Sequence, residues 1–211
     1  MFVNKMGAQH LDYGKNCQDY GLEKDCLKVV CDGCSEGAHS EVGAKAYCHL
    51  AASGYDTEQI FQLLMGIFGQ SPQTVREYLC FTILEVAEQE DSFCVTYCGD
   101  GYILLQDAAG EIQFMELSDG AYPKYYAYNY CDASSLRQYQ DGVPLNRKVF
   151  HKKEYQKVGI ASDGLRYIVN SKDTQLKAAF TALLKLGSAV KIKRFINCNQ
   201  RVFQDDITIV F

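Results

Sequence analysis

Nowhere in the 211-residue chain do eighteen apolar residues follow one another, so no segment reads as a membrane-spanning helix. The opening residues, Met1-Phe2-Val3-Asn4-Lys5, lack the apolar stretch of a secretory signal. With neither feature in the sequence, the expectation is a cytoplasmic protein that does not engage a membrane. An excess of positive charge is missing too. The formal net charge of -5 argues against a nucleic-acid partner, because phosphate backbones select basic surfaces. Lys191, Lys193, Arg194 and Arg201 do cluster, but a solvated helix face accounts for them. Internal repeats and low-complexity tracts are also absent, which leaves a single domain over residues 1–211, with room for a small insert. An apolar fraction of 47% is enough for a sizeable core.

A disulfide framework is not needed in a chain this long, although it holds ten cysteines. Cys26, Cys48, Cys94 and Cys98 fall within expected strands or helices, where cysteine behaves as a small buried hydrophobe. Cys31-Asp32-Gly33-Cys34 has the spacing of a C-x-x-C pair. A zinc site would want a second pair, and Cys94 with Cys98 is the only nearby candidate.

Hydrophobic periodicity supplies the outline. A first strand is expected over Val3 to His10, then a turn around Tyr13-Gly14-Lys15-Asn16, and strands near Tyr20 to Leu22 and Leu27 to Cys31. A helix from about Ser40 to Ala52 carries Val42, Ala46 and Leu50 at helical spacing, with Glu41 favourably placed in its first turn. Asp56 or Thr57 caps a second helix bearing Ile60, Phe61, Leu64 and Phe68, and Ser71-Pro72 opens a shorter third. The period then falls to two. Phe81 to Val86, Phe93 to Tyr97, Tyr102 to Gln106 and Ile112 to Leu117 read as a four-stranded antiparallel meander.

From about residue 119 to 150 the pattern weakens into a tyrosine-rich stretch that reads as an irregular flap. Its tyrosines could either contact a substrate or pack their rings. A strand at Lys157 to Ala161 follows, then helices over Thr174 to Leu186 and Ser188 to Asn199 parted by Gly187, and a last strand from Ile207 to Phe211. Strands and helix pairs in this order predict an α+β fold. The arrangement expected is a four-layer αββα sandwich, two antiparallel sheets flanked by helix pairs, with a short flap segment.

Five aspartate signatures punctuate that outline: Gln18-Asp19, Asp32-Gly33, Gly99-Asp100-Gly101, Ser162-Asp163-Gly164 and Asp205-Asp206-Ile207-Thr208. Each alone is weak. Asp-Gly is a common turn pair, and Gly99-Asp100-Gly101 between two strands reads most simply as a tight hairpin. Together, carboxylates at strand ends can converge only if the fold gathers them. Two like charges about 4 Å apart repel by roughly 4 kcal/mol at an effective dielectric of about 20. Hard divalent cations with all-oxygen ligands are the usual remedy, which points to a metal-dependent hydrolase.

These blocks, in this order, resemble the metal-dependent protein phosphatase family (PPM, the type 2C serine/threonine phosphatases), nearest its compact bacterial branch. The likeness runs from about Gly7 to Phe211. It rests on Gly14-Lys15-Asn16-Cys17-Gln18-Asp19-Tyr20, on Val30-Cys31-Asp32-Gly33-Cys34-Ser35 and on Ser40-Glu41-Val42-Gly43-Ala44. It continues through Tyr97-Cys98-Gly99-Asp100-Gly101, Ile160-Ala161-Ser162-Asp163-Gly164-Leu165 and Asp205-Asp206-Ile207-Thr208-Ile209-Val210.

The resemblance implies Mn2+ or Mg2+, two ions per active site with a possible third. Asp32 would bridge the central pair with help from the Gly33 carbonyl, Asp163 and Asp205 would hold the other metal, and Asp100 with Asp163 would serve the third. Asp19 would orient metal-bound water. Asp206, where the family often has asparagine, is expected to support the strand rather than ligate. A water bridging two divalent ions becomes a nucleophile near neutral pH and attacks phosphorus in line, with no covalent phosphoenzyme. An Asp-x-Asp-x-Thr motif, the mark of the competing aspartyl-phosphate design, is missing.

Three departures bear on substrate binding. Gly14 stands where the family carries a phosphate-gripping arginine, with Lys15 beside it as a point-charge substitute. Gln18 is neutral where a carboxylate is common. Cys34 follows the Asp-Gly pair where some relatives have a histidine general acid, which leaves His39 and His10 to be weighed as proton donors. Lys15 and His39 are thus the substrate-side candidates, and His49 and His151 suggest nothing further. The leading expectation is a phosphoserine/phosphothreonine phosphatase whose partner is a protein phosphorylated by a serine/threonine kinase. The alternatives are a pseudophosphatase that binds phosphoproteins or senses metal, and a phosphatase of small metabolites.

Overall fold

Residues 1–118, 124–131 and 141–211 are described by the computed structural model, and their strands sort into two five-stranded sheets. In chain order the strands are β1 (Phe2–Lys5), β2 (Asp19–Lys24), β3 (Leu27–Asp32), β4 (Ile83–Glu88) and β5 (Ser92–Cys98). They continue with β6 (Gly101–Asp107), β7 (Ile112–Leu117), β8 (Asn146–His151), β9 (Tyr155–Ala161) and β10 (Ile207–Val210). The helices are α1 (Ala8–Tyr13), α2 (Ser40–Ala51), α3 (Thr57–Phe68), the single turn α4 (Pro72–Thr74), α5 (Arg166–Val169), α6 (Thr174–Lys185) and α7 (Ala189–Cys198). One sheet runs β1-β10-β9-β6-β7 and the other β2-β3-β4-β5-β8, with every pair antiparallel.

Alternation along the strands divides the apolar side chains among three cores. Val30, Leu84, Val86 and Val95 of one sheet face Ile103, Leu105, Val158 and Ile160 of the other, forming the centre of the sandwich. Val29, Cys31 and Ile83 point outward and are covered by Tyr47, Ile60, Phe61 and Leu64 of α2 and α3. On the opposite outer face, Tyr102, Leu104 and Ile209 meet Phe180, Leu184, Ile192 and Ile196 of α6 and α7. The result is the expected helix–sheet–sheet–helix stack. Strands buried on both faces need apolar residues at successive positions, which explains runs such as Val29-Val30-Cys31.

Local chemistry sets the helix ends. Asp56 and Gln59 form a reciprocal capping box at the start of α3, at 2.9 and 3.1 Å. Ser71 Oγ accepts from Thr74 N at 3.1 Å ahead of Pro72, and Gly187, at φ 63°, separates α6 from α7.

Several expectations need correction. The first strand ends at Lys5, and His10 lies on α1 instead. The buried stripe of α2 is not Val42, Ala46 and Leu50. It is Gly43, Ala44, Tyr47, Cys48 and Ala51, while Val42 is exposed. Gly43 sets that rotation, because a Cβ there would lie 1.8 Å from the Tyr78 carbonyl oxygen. The meander breaks in the middle: β4 pairs with β5, but β6 pairs with β7 and β9 in the other sheet. Gly99-Asp100-Gly101 is therefore a crossing between sheets, not a hairpin, and both glycines take positive φ (95° and 136°). Finally, the end of the flap is a strand. Asn146–His151 forms the polar edge of the second sheet, against β5.

Of the flap, 119–123 and 132–140 lie outside the described residues. In the part that is described, Tyr126 and Tyr130 pack on Phe61 with ring centroids 5.2 and 5.7 Å away. Tyr125 is buried in the same cluster.

Candidate active site

The aspartates lie at strand ends because of the register between strands. Asp19 opens β2 and pairs directly with Asp32, which closes β3. In the other sheet, Ser162 follows β9 and meets Thr208 of β10: Thr208 N donates to Ser162 Oγ at 2.9 Å and Ser162 N to the Thr208 carbonyl at 2.9 Å. That contact places Asp163 beside Asp205. The two sheets are stitched together at this end by Asn4, whose Nδ2 lies within bonding distance of the Asp19 carbonyl (3.1 Å) and Thr208 Oγ1 (2.8 Å). Gly164 permits the tight turn after Asp163, since a Cβ there would lie 1.9 Å from the Asp206 carbonyl oxygen.

Asp32, Asp100, Asp163 and Asp205 accordingly line one cavity of about 230 Å³, together with Gly33, Thr82, Tyr125 and Arg166. Asp19 lies buried behind it, 3% exposed, and Ser162 Oγ donates to its Oδ2 at 2.5 Å. Burial, then the Asp206 charge, raises the Asp19 carboxyl to about 7, against the pull of Ser162. Asp32 is raised well above the ordinary carboxylate range by its withdrawal from water and by the facing charges of Asp19 and Asp205. Both shifts favour the neutral, protonated form of a carboxyl in this crowded region.

The donor set fits a hard cation: four carboxylates share one cavity, and Asp19 Oδ1 and Asp163 Oδ1 are buried without a hydrogen-bond partner. The cluster is open rather than caged. Among the described residues, no three Asp, Glu, His or Cys side chains already form a set that could hold an ion. Instead, the Asp163 Oδ2 carboxylate oxygen pairs with the Arg166 guanidinium. For the C-x-x-C pair, Cys31 is fully buried in the helix-side core, and all ten cysteines are free thiols.

The remaining sequence candidates fall elsewhere. Lys15 is exposed and donates from Nζ to the Ser35 carbonyl at 3.0 Å. It lines a neighbouring cavity of about 320 Å³ with Gln18, Glu36 and Glu41. His39 is exposed and lies against the Tyr78 ring, 5.2 Å between centroids. His10 is buried, its Nδ1 2.8 Å from Asp206 Oδ2.

Periodicity did not reveal three contributors. Ser162 ties Asp19 to β10, and Arg166 brings a cation to the acidic cavity. Asp206 binds far more than its own strand: it accepts from Gly7 N at 2.8 Å and Gln18 N at 2.6 Å as well as pairing with His10. It thereby anchors both segments that lead to Asp19. Asp206→Ala is expected to lower stability by about 2–4 kcal/mol, because the Gly7 and Gln18 N–H groups and the His10 ring lose their buried partner together. Urea unfolding would measure it, and a loss within 0.5 kcal/mol of zero, roughly that of a neutral surface change, would contradict the anchor.

No protein-family model matches the sequence, and no curated protein matches it. Solved structures do. A bacterial serine phosphatase superposes with a TM-score of 0.65 at 15% identity, over 99% of this chain and 94% of that one. The serine/threonine phosphatase PstP/Ppp of Mycobacterium tuberculosis gives 0.63 at 14% identity, over 99% and 95%. A PstP catalytic domain in complex with two manganese ions gives 0.63 at 13% identity, over 99% and 94%. The fold of this chain is the fold of those phosphatases. Among the described residues, no helix is long and apolar enough to cross a membrane.

Proposed function

We propose that this chain is a metal-dependent phosphoprotein phosphatase acting on phosphoserine and phosphothreonine. The observation that supports this most is the meeting of Asp32, Asp100, Asp163 and Asp205, from the ends of both sheets, on one cavity backed by Asp19. The shared fold adds weight, since its similar structures are phosphatases and one of them holds two manganese ions.

In this reading Asp32 and the Gly33 carbonyl, with Asp163 and Asp205, hold two Mn2+ or Mg2+ ions, and Asp100 serves a possible third. Bound there, the cations would supply Lewis-acid stabilisation of phosphoryl oxygens and an activated water. Asp19 is the proton-holding group: Ser162 fixes its Oδ2, while its other oxygen lies free of donors beside Asp32. Thr82 steadies Asp32 by accepting from its backbone N–H at 3.1 Å, and Tyr125 walls one side against water. Aspartates that must act together are kept apart from bulk solvent yet open to a dianion. The partner would be a phosphorylated protein, the product of a serine/threonine kinase, met in the cytoplasm.

Purified protein should hydrolyse p-nitrophenyl phosphate and phosphoserine peptides with added manganese and stop on chelation. Absence of turnover with manganese, magnesium and calcium alike would end the proposal.

A further inference from the structure

We infer that Arg166 is the residue that grips the substrate phosphate. This deepens the phosphatase reading and rests on it. Cations on the aspartates would attract a phosphate dianion but not orient it, and an N–H donor on the cavity wall supplies a directed, charge-assisted contact. Gly14 offers no side chain, and the neighbouring Lys15 turns to the Ser35 carbonyl in the adjoining cavity. Among the described residues, Arg166 is the only Lys, Arg or His on the wall of the acidic cavity.

Its placement suits the task. Arg166 stands three residues after Asp163, on the turn where the 3-10 segment Asp163–Leu165 passes into α5. The guanidinium is held along one edge: Nε donates to the Asp163 carbonyl at 3.2 Å, and Nη2 pairs with the Asp163 carboxylate. Of the five N–H donors of an arginine, these contacts use two and leave three, the Nη1 pair among them, for a ligand. The side chain is 45% exposed and lines the cavity, so it is open to a ligand. A tethered guanidinium binds phosphate oxygens in a forked geometry that lysine cannot match.

The test measures inorganic phosphate binding to the manganese-treated protein by calorimetry, alongside KM and kcat for p-nitrophenyl phosphate. Arg166→Gln is expected to weaken phosphate binding and raise KM by about tenfold or more, the scale of a lost charge-assisted hydrogen bond. Arg166→Lys should recover the charge but only part of the affinity. Manganese calorimetry on each variant reads the acidic cluster separately from the phosphate contact. Equal phosphate affinity in wild type, Arg166→Gln and Arg166→Lys would overturn the inference, as would a wild-type protein that binds no phosphate. A wild type that binds phosphate through Arg166 yet never turns over would instead defeat the phosphatase reading and spare this one.

Discussion

Asp32→Asn should cut metal-dependent turnover by about a thousandfold while making the metal-free protein more stable at pH 8 by about 1–2 kcal/mol. The opposite signs follow from one arrangement. Asp32 faces Asp19 and Asp205 in a region withdrawn from water, and all three raise the cost of its charge. An amide of the same shape keeps the contacts of β3 and loses the repulsion, so folding gains. In the proposed reading the same change also weakens the carboxylate that would hold the cations, so turnover should fail. A residue kept for packing would behave otherwise, with stability and activity falling together. Steady-state hydrolysis and urea unfolding on the same preparation would separate the cases. Turnover that survives, or stability that falls in step with it, would show that Asp32 is not at the reacting centre.

The second large effect is a linkage between protons and cations. Asp19 titrates near 3.8 when unfolded and at about 7 when folded. The folded state therefore holds more protons between those values, and stability must fall as pH rises through that window. The contribution is fully present below about pH 4 and lost above about pH 7, on the order of 4 kcal/mol for this single buried group. A cation entering the cluster should favour ionised Asp19 and release its proton, so manganese affinity should climb over the same range, with proton uptake by the buffer. Calorimetry in two buffers of different ionisation enthalpy would count those protons. Asp19→Asn should flatten both the stability slope and the affinity slope. Affinity that is constant between about pH 5 and pH 8 would rule out a link between cation binding and the Asp19 proton.

Much of the architecture could be read from the order of residues, and the reasons are local. Val29-Val30-Cys31 and Tyr102 to Leu105 announce buried strands because both faces of a central strand must be apolar. Asp56 with Gln59, Ser71 with Pro72, and Gly187 mark helix ends because capping is a contact between near neighbours in sequence. Polar stretches were harder. The strand Asn146–His151 reads Asn-Arg-Lys-Val-Phe-His, with no period-two alternation and no strong apolar face, so it merged with the flap. In α2, Gly43 decides which face turns inward through a contact with Tyr78, thirty-five positions away, and no helical spacing encodes that.

The acidic signatures and their order are properties of the covalent chain, and they were enough to suggest a hydrolase built around hard cations. Their convergence is a property of the fold. Gly99-Asp100-Gly101 has the same chemistry whether it closes a hairpin or passes between sheets, and strand pairing alone selects the second. Arg166 looks like an ordinary helix residue until the Asp163 turn directs it at the cavity, and Asp206 like a strand leader until Gly7, Gln18 and His10 gather around its carboxylate. Repulsion among like charges cannot be read from a string, because it depends on separations that only packing brings about.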